Sequence, residues 1–105
     1  MVRLAIKTAG IEKIIGITDA CAGSSDDSDV NIVNGALMGS KLTMPRVARN
    51  FYRLGYTIPE VMRITSYNPA RAIGMHESIG SIEAGKKADL IVLDKSLENV
   101  CLIQV

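Results

Sequence analysis

The apolar run that ends at Asp19 constrains the fold of this chain more than any other feature. Within KIIGIT, residues 13–18, the apolar positions run together instead of alternating with charges, as they do in parallel strands buried on both faces. We therefore predict a strand over residues 13–18. Asp19 then stands at the carboxyl end of that strand, where α/β folds build their sites. An Asp at a strand end also serves as a helix cap or a turn former, so position alone leaves its role open.

The residues before this strand extend the α/β pattern. Residues 2–9, VRLAIKTA, place their apolar side chains on one helical face, and Gly10 follows where helices commonly end. A helix that leads into a buried strand suggests an α/β repeat. The chain has 105 residues, 48% of them hydrophobic, which is enough for one modest core and too short for two ordinary domains.

A polar, acidic segment, AGSSDDSDVN at residues 22–31, follows Asp19. A calcium loop that began at Asp27 would require Gly at its sixth position and Glu at its twelfth, but Ile32 and Met38 stand there. We therefore predict a solvated loop. The next segment, GALMGS at residues 35–40, is bracketed by glycines and small enough to let backbone approach a ligand, although such glycines also serve turns alone.

Three helices are predicted in the middle of the chain. The first spans residues 43–55, where apolar side chains recur at helical spacing, Thr43 is the candidate N-cap and Gly55 ends the helix. Thr57 and Glu60 have the spacing of a capping box and open the second helix. The residues NPARAIG then restart a third, short helix that ends at its glycine.

After His76 the pattern changes to short β-rich runs. Two of them, Leu90–Leu93 and Val100–Val105, are separated by turn residues, so we expect two or three short antiparallel strands. His76 is the only histidine of the chain. A metal site requires several converging ligands, so we read it as an ordinary surface residue and not as a ligand.

Charge and hydropathy argue against two classes of partner. Twelve Lys and Arg residues nearly cancel eleven Asp and Glu residues and are spread over the chain, so we expect no nucleic-acid partner. Since no run approaches the roughly 20 apolar residues of a membrane span and no secretory signal is visible, we expect a cytoplasmic protein with no membrane partner. Cys21 and Cys101 lack CxxC or Cys/His spacing and are read as reduced structural thiols, with a disulfide or metal role as the alternative.

Three segments and their order resemble one known family. They are ITDA at residues 17–20, GALMGSKLTMPRVARN at residues 35–50 and TSYNPARAIGMHESIGSIEAGKKADLIVLD at residues 65–94. Together they are similar to the C-terminal part of the N-acetylglucosamine-6-phosphate deacetylases, which belong to the amidohydrolase superfamily. The tail GSIEAGKKADLIVLD resembles many amidohydrolases, whereas GS-LTM followed by NPARAIG points to the deacetylases. The resemblance covers nearly the whole chain.

The resemblance implies a C-terminal fragment of a metal-dependent (β/α)8 barrel. Residues 1–75 would hold the last barrel strand and its helices, and residues 76–105 would hold strands of a small β domain. Asp19 matches the family's catalytic Asp, which takes a proton from metal-bound water and passes it to the amine as the acetyl C–N bond breaks. Leu37, Met38 and Gly39 match the segment that lies against the amino-sugar phosphate, although Met38 would equally serve as core.

Two departures from the family shape what we expect of this chain. The family's metal-binding and phosphate-binding residues lie upstream of the residues present here, so the divalent ion, zinc or iron, belongs to the full-length enzyme and the chain alone is expected to be inactive. Only 19 residues separate Asp19 from Gly39, fewer than the family usually has. A terminal strand without barrel neighbours predicts self-association, as in a homodimer, or burial of that strand by the chain's own helices. The alternative function is a non-catalytic binding or interaction module that reuses an amidohydrolase tail.

Overall fold

Short helices and two β hairpins make up the described part of the chain. The structure is a computed structural model, and it describes residues 1–22, 28–98 and 100–104. In chain order its elements are helix α1 (Val2–Ala9), a 3₁₀ turn (Ile11–Lys13), strands β1 (Val30–Val33) and β2 (Ala36–Ser40), helices α2 (Met44–Arg53) and α3 (Ile58–Met62), a π-helical segment (Arg63–Tyr67), helix α4 (Asn68–Ala72), and strands β3 (Asp89–Leu93) and β4 (Val100–Gln104). None of the helices in these ranges has the length and apolar character of a membrane span. Two acidic residues of the predicted polar loop, Asp26 and Asp27, lie outside the described residues.

The strand predicted over residues 13–18 is not formed, and this prediction was wrong. The segment leaves the 3₁₀ turn as irregular chain, and the Gly16 N–H donates to the Ile64 carbonyl oxygen at 3.0 Å. Just beyond it, Ala20 makes an isolated parallel bridge to Ser40. A strand requires a neighbouring strand for its N–H and C=O groups. In the described chain the named strands pair within the two hairpins, and the bridge from Ser40 reaches only Ala20, so no strand lies beside residues 13–18.

The segment packs instead against the helices that form the core. A Cβ at Gly16 would lie 3.2 Å from side-chain atoms of Phe51 and Val47 and 3.3 Å from Ile64. Glycine therefore allows the chain to approach the helices closely at this position. The buried apolar residues of the described chain are Val47, Ala48, Val61, Ile64, Ala70 and Leu97. They place the core between α2, the continuous helical stretch that starts with α3, and the loop of the second hairpin.

The first hairpin lies where the sequence predicted loops. Strands β1 and β2 pair antiparallel through Ile32 with Leu37, and an irregularity interrupts the register between Ile32 and Val30. Asn34 and Gly35 connect the strands with φ values of 51° and 78°. Positive φ at both central residues is what a type I′ turn requires, and Asn-Gly is its preferred sequence. The Asn-Gly pair between two β-prone runs is a sequence signal for such a hairpin, and our sequence analysis did not use it.

The three helices in the middle of the chain are confirmed. Helix α2 begins after Thr43 as predicted, although the Thr43 side chain makes no capping hydrogen bond. The capping box of α3 is present, since the Thr57 N–H donates to Glu60 Oε2 at 2.8 Å and the Glu60 N–H donates to Thr57 Oγ1 at 3.4 Å. The third helix does not follow a break. A π-helical turn joins α3 to α4 directly and accommodates Pro69, whose ring crowds the preceding turn and whose nitrogen cannot donate.

The second hairpin confirms the antiparallel strands predicted in the tail. Strands β3 and β4 pair in regular register from Asp89 with Gln104 to Leu93 with Val100. Their connecting loop is anchored on the core by the buried side chain of Leu97. The division of the chain into residues 1–75 and 76–105 stays a prediction.

Candidate functional site

Asp19 lies directly against the end of strand β2. The Ser40 N–H donates to the Asp19 carbonyl oxygen at 2.9 Å, and the Cys21 N–H donates to the Ser40 carbonyl oxygen at 3.1 Å. The Ser40 hydroxyl also donates to the Thr18 carbonyl oxygen. These bonds attach the segment that carries the candidate carboxylate to the strand that carries Leu37 and Met38. The structure thus brings together two parts of the predicted site that are about twenty residues apart in sequence.

The backbone of Asp19 adopts an uncommon conformation. Its φ of 47° lies in the left-handed region, which Asp tolerates better than most residues but which is sparsely populated outside glycine. The residue is exposed, so the carboxylate is open to a molecule arriving from solvent. Residues in such conformations cluster at functional sites, because only the surrounding structure holds them there. The geometry is compatible with an acid or base that meets a substrate.

Gly39 is the point of closest approach between the two segments. Its φ is 104°, and a Cβ at this position would lie 2.6 Å from the Asp19 carbonyl oxygen and 3.2 Å from Cys21 Sγ. A side chain is therefore excluded, and the glycine lets β2 contact the Asp19 backbone. Leu37 is 69% exposed and Met38 is 55% exposed, so both lie outside the core, including Met38, for which the sequence left a core role open.

Two residues to which the sequence analysis gave no role at this site hold these segments together. The Asn31 Nδ2 donates to the Ala22 carbonyl oxygen at 2.9 Å and to Cys21 Sγ at 3.1 Å. The Cys21 thiol in turn donates to the Met38 carbonyl oxygen. Cys21 is free, as the sequence predicted, but it bonds across the site instead of remaining an isolated thiol. An Asn within an acidic, polar run carries no sequence signal for this role.

A third residue, to which the sequence analysis gave no role at the site, holds the chain segment that precedes Asp19. The Asn68 Nδ2 donates to the Ile11 carbonyl oxygen at 2.8 Å and to the Ile14 carbonyl oxygen at 2.7 Å. Asn68 is buried, so these bonds form where water does not compete for them. The amide therefore ties helix α4 to the chain that leads to Asp19. Its position before Pro69 indicated only a helix start.

His76 lies away from this site, beside a broad cavity of about 1200 Å³. Its ring packs edge-on against Tyr67, and its backbone carbonyl oxygen accepts a hydrogen bond from Lys86 Nζ. Lys86 also binds Ser81 Oγ at 2.6 Å and pairs with the Glu83 carboxylate. The hydrogen bonds from Lys86 and Ser81, together with the Lys86 charge, hold the pKa of the Glu83 carboxyl below its usual value. These interactions stabilise the turns before β3.

No group of three or more His, Cys, Asp or Glu side chains in residues 1–22, 28–98 and 100–104 is placed to hold a metal ion. A structural or catalytic metal requires three or four converging protein ligands. The donor set of these residues therefore does not fit a metal ion on its own, and Asp19 is the carboxylate that the site offers.

Comparisons with known proteins agree on one family. The profile of the Amidohydrolase family matches residues 1–104. The chain is 33% identical over 102 residues to the N-acetylgalactosamine-6-phosphate deacetylase of Escherichia coli O157:H7, covering 82% of this chain and 27% of that enzyme. It is 47% identical over 53 residues to an imidazolonepropionase of Legionella pneumophila (strain Corby), covering 50% of this chain and 13% of that protein.

The solved structures include a close match in fold. The crystal structure of N-acetylglucosamine-6-phosphate deacetylase from Thermotoga maritima superposes with a TM-score of 0.82 at 30% sequence identity, covering 99% of this chain and 33% of that one. These matches confirm the resemblance to the C-terminal part of the deacetylases. The chain spans less than two thirds of the length of the curated relatives that it matches.

Proposed function

The chain belongs to the amidohydrolase family, and from this premise we propose that it is the C-terminal part of a hydrolase that converts N-acetylglucosamine 6-phosphate to glucosamine 6-phosphate and acetate. One observation carries the proposal: an exposed carboxylate, Asp19, is held in a left-handed conformation against the backbone of Gly39. The superposition on a solved N-acetylglucosamine-6-phosphate deacetylase supports this choice of substrate. We further propose that the full-length enzyme is a (β/α)8 barrel, to which this chain contributes the C-terminal part.

Asp19 would act in both halves of the reaction. As a base, its carboxylate takes a proton from the attacking water, whose oxygen forms a bond to the acetyl carbonyl carbon. As an acid, the protonated carboxyl then gives that proton to the amide nitrogen, so that the C–N bond breaks and the amine leaves. Leu37 and Met38 are consecutive in β2, so their side chains point to opposite faces, and one of the two would form an apolar wall beside the sugar ring. Gly39 would let the ring approach the backbone.

The chain does not supply the rest of such a site. Amidohydrolases are generally metal-dependent, and we propose that the ligands of a divalent ion, zinc or iron, and the residues that bind the sugar phosphate lie outside residues 1–105. The chain alone is then expected to be inactive. A sugar phosphate is charged and does not cross a bilayer unaided, which supports our proposal that the enzyme acts in the cytoplasm, where metabolic phosphates are made. The near-balanced charge of the chain agrees with a partner other than nucleic acid or membrane.

The large exposed surface of the chain supports self-association. The accessible surface of 7504 Å² exceeds by about 1,800 Å² the value expected for a compact protein of this mass. A stable interface buries about 800 Å² on each partner, so the excess is more than one such interface requires. Part of the excess lies at an apolar groove of about 300 Å³, where the exposed side chains of Ile15 and Ile17 lie beside Leu54. We propose that a second copy of the chain, or the rest of a barrel, covers this groove.

An activity assay tests the proposed reaction. The longest natural reading frame that contains these residues, supplied with zinc or iron, should release amine from N-acetylglucosamine 6-phosphate. Asp19→Asn should lower kcat by about 10²–10⁴-fold, because an amide cannot accept the proton. The matched control Asp89→Asn, on strand β3, should leave kcat unchanged.

Two results would count against the proposal. Equal activity of Asp19→Asn and the unsubstituted protein would remove Asp19 from the mechanism. Absence of any deacetylation would favour the alternative, a non-catalytic interaction module, for which the uncovered apolar groove is the supporting feature. Sedimentation of residues 1–105 over a range of concentrations tests the association, and a single monomeric species at the highest concentration would contradict it.

A further inference from the structure

One buried polar side chain lies beneath the hairpin that carries Leu37 and Met38. Asn31 is 1% exposed, although the other three residues of β1 are exposed. Burying an amide is unfavourable unless its polar atoms are bonded. Both bonds of the Asn31 Nδ2 go to the segment just after Asp19, to Cys21 Sγ and to the Ala22 carbonyl oxygen. The side chain therefore connects the hairpin to the segment that carries the candidate carboxylate.

The thiol of Cys21 continues this connection to the opposite strand. Its Sγ accepts from Asn31 and donates to the Met38 carbonyl oxygen, which a thiol can do only in its protonated form. The position expected for a Cβ of Gly39 is 3.2 Å from the same sulfur, so the thiol fits against the bare backbone there. The bonds run from Asn31 through Cys21 to Met38 and span the width of the hairpin.

The orientation of the Asn31 amide follows from its partners. A flipped amide would oppose Oδ1 to the Ala22 carbonyl oxygen, and neither atom can donate. In the orientation that satisfies both donor bonds, Oδ1 has no hydrogen-bond partner in the described residues. An unbonded, buried amide oxygen is unfavourable, and an apolar side chain would fill the same space without it. Compared with an apolar side chain, the Asn31 amide therefore contributes its two donor hydrogen bonds.

We propose that Asn31 and Cys21 are positioning residues, which hold the wall formed by Leu37, Met38 and Gly39 at a set distance from Asp19. The proposal rests on the deacetylase function above, in which the wall contacts the sugar and Asp19 transfers the proton. Neither positioning residue has to touch the substrate. Loosening the wall weakens the contact with the sugar and raises KM, while proton transfer by Asp19 continues.

Amide hydrogen exchange tests the structural part of this proposal in residues 1–105, without any activity. The reporter is the Ser40 N–H, which donates to the Asp19 carbonyl oxygen. We expect Asn31→Ala and Cys21→Ala each to accelerate its exchange about tenfold, since each removes a hydrogen bond that attaches the hairpin to the segment after Asp19. Cys21→Ser keeps a donor and an acceptor and should retain most of the protection. Cys101→Ala, the matched control on strand β4, should retain all of it.

Kinetics test the positioning role in the longest natural reading frame. We expect Cys21→Ala to raise KM for N-acetylglucosamine 6-phosphate about tenfold, with kcat within about twofold, and Cys21→Ser to restore KM. Unchanged Ser40 exchange in both alanine variants, or a lowered kcat with KM unchanged, would overturn the proposal. If the unsubstituted protein lacks deacetylase activity, the proposed function fails, and the exchange experiment still decides whether Asn31 and Cys21 hold the hairpin.

Discussion

The two hairpins of this chain have two strands each, but they are attached to the rest of the molecule by different interactions. The first, β1–β2, has an irregular register, and side-chain bonds from Asn31 and Cys21 attach it to the segment around Asp19. The second, β3–β4, has a regular register, and its loop carries the buried Leu97 and is ion-paired with α2. The first hairpin is therefore fixed to the segment that carries the candidate carboxylate, whereas the second is fixed to the helices of the core.

The anchors of the second hairpin are those of an ordinary structural contact. Leu97 is buried, and the Glu98 carboxylate pairs with Arg49 at 3.2 Å and with Arg53 at 3.4 Å. Within the loop, the Glu98 N–H donates to Asp94 Oδ1 at 2.8 Å. Apolar burial contributes most of the stabilisation here, since exposed ion pairs contribute about 0–1 kcal/mol.

The substitution Gly39→Ala should break the first hairpin and have the largest effect. The new Cβ would lie 2.6 Å from the Asp19 carbonyl oxygen at a φ of 104°, which disfavours alanine. We expect a loss of about 3 kcal/mol in the free energy of unfolding, measured by urea denaturation, with loss of Ser40 amide protection.

The matched control is Gly35→Ala in the turn, where φ is 78° and no atom lies within 4 Å of the new Cβ. It carries only the conformational cost, about 1 kcal/mol. Equal losses for the two variants would mean that contact between β2 and Asp19 does not constrain position 39.

The substitution Leu97→Ala tests whether the second hairpin is anchored by burial. Truncation of this buried side chain should lower the free energy of unfolding by about 2 kcal/mol. Ser40 protection against local exchange should change little, because the two hairpins form separate sheets. Leu102→Ala, at an exposed position of β4, should lower stability by less than about 0.5 kcal/mol. A collapse of Ser40 protection at denaturant concentrations below the unfolding transition of Leu97→Ala would show that the hairpins are coupled.

The smallest effect concerns the turns before β3. The folded structure lowers the pKa of Glu83 from its usual value of 4.5, mainly through the hydrogen bond from Lys86. A carboxyl whose pKa is lowered by folding adds stability above its unfolded pKa and loses it as pH falls through the folded value. Glu83→Gln should therefore lower the melting temperature slightly at pH 7 and by less at pH 3. An equal effect of Glu83→Gln at both pH values would contradict the assignment.

Much of the local structure could be predicted from the sequence, because it depends on neighbours within a few residues. The end of α1 at Gly10, the capping box of Thr57 and Glu60, and the β-rich tail are all of this kind. The Asn34–Gly35 turn was also readable, and it was missed because the acidic run before it was interpreted as loop throughout. The catalytic role of Asp19 and the wall role of Leu37 to Gly39 stay predictions.

The sequence by itself determined where helices begin and end and which carboxylate follows the apolar run, since propensity, capping and hydrophobic spacing are local properties. Only the tertiary structure decided that Gly39 meets the Asp19 backbone, that the amides of Asn31 and Asn68 are buried against distant carbonyl groups, and that residues 13–18 form no strand. The physical reason is that a hydrogen bond between distant segments depends on where both partners are brought by packing. A strand likewise depends on a neighbour, and in the described residues the apolar run at 13–18 has none.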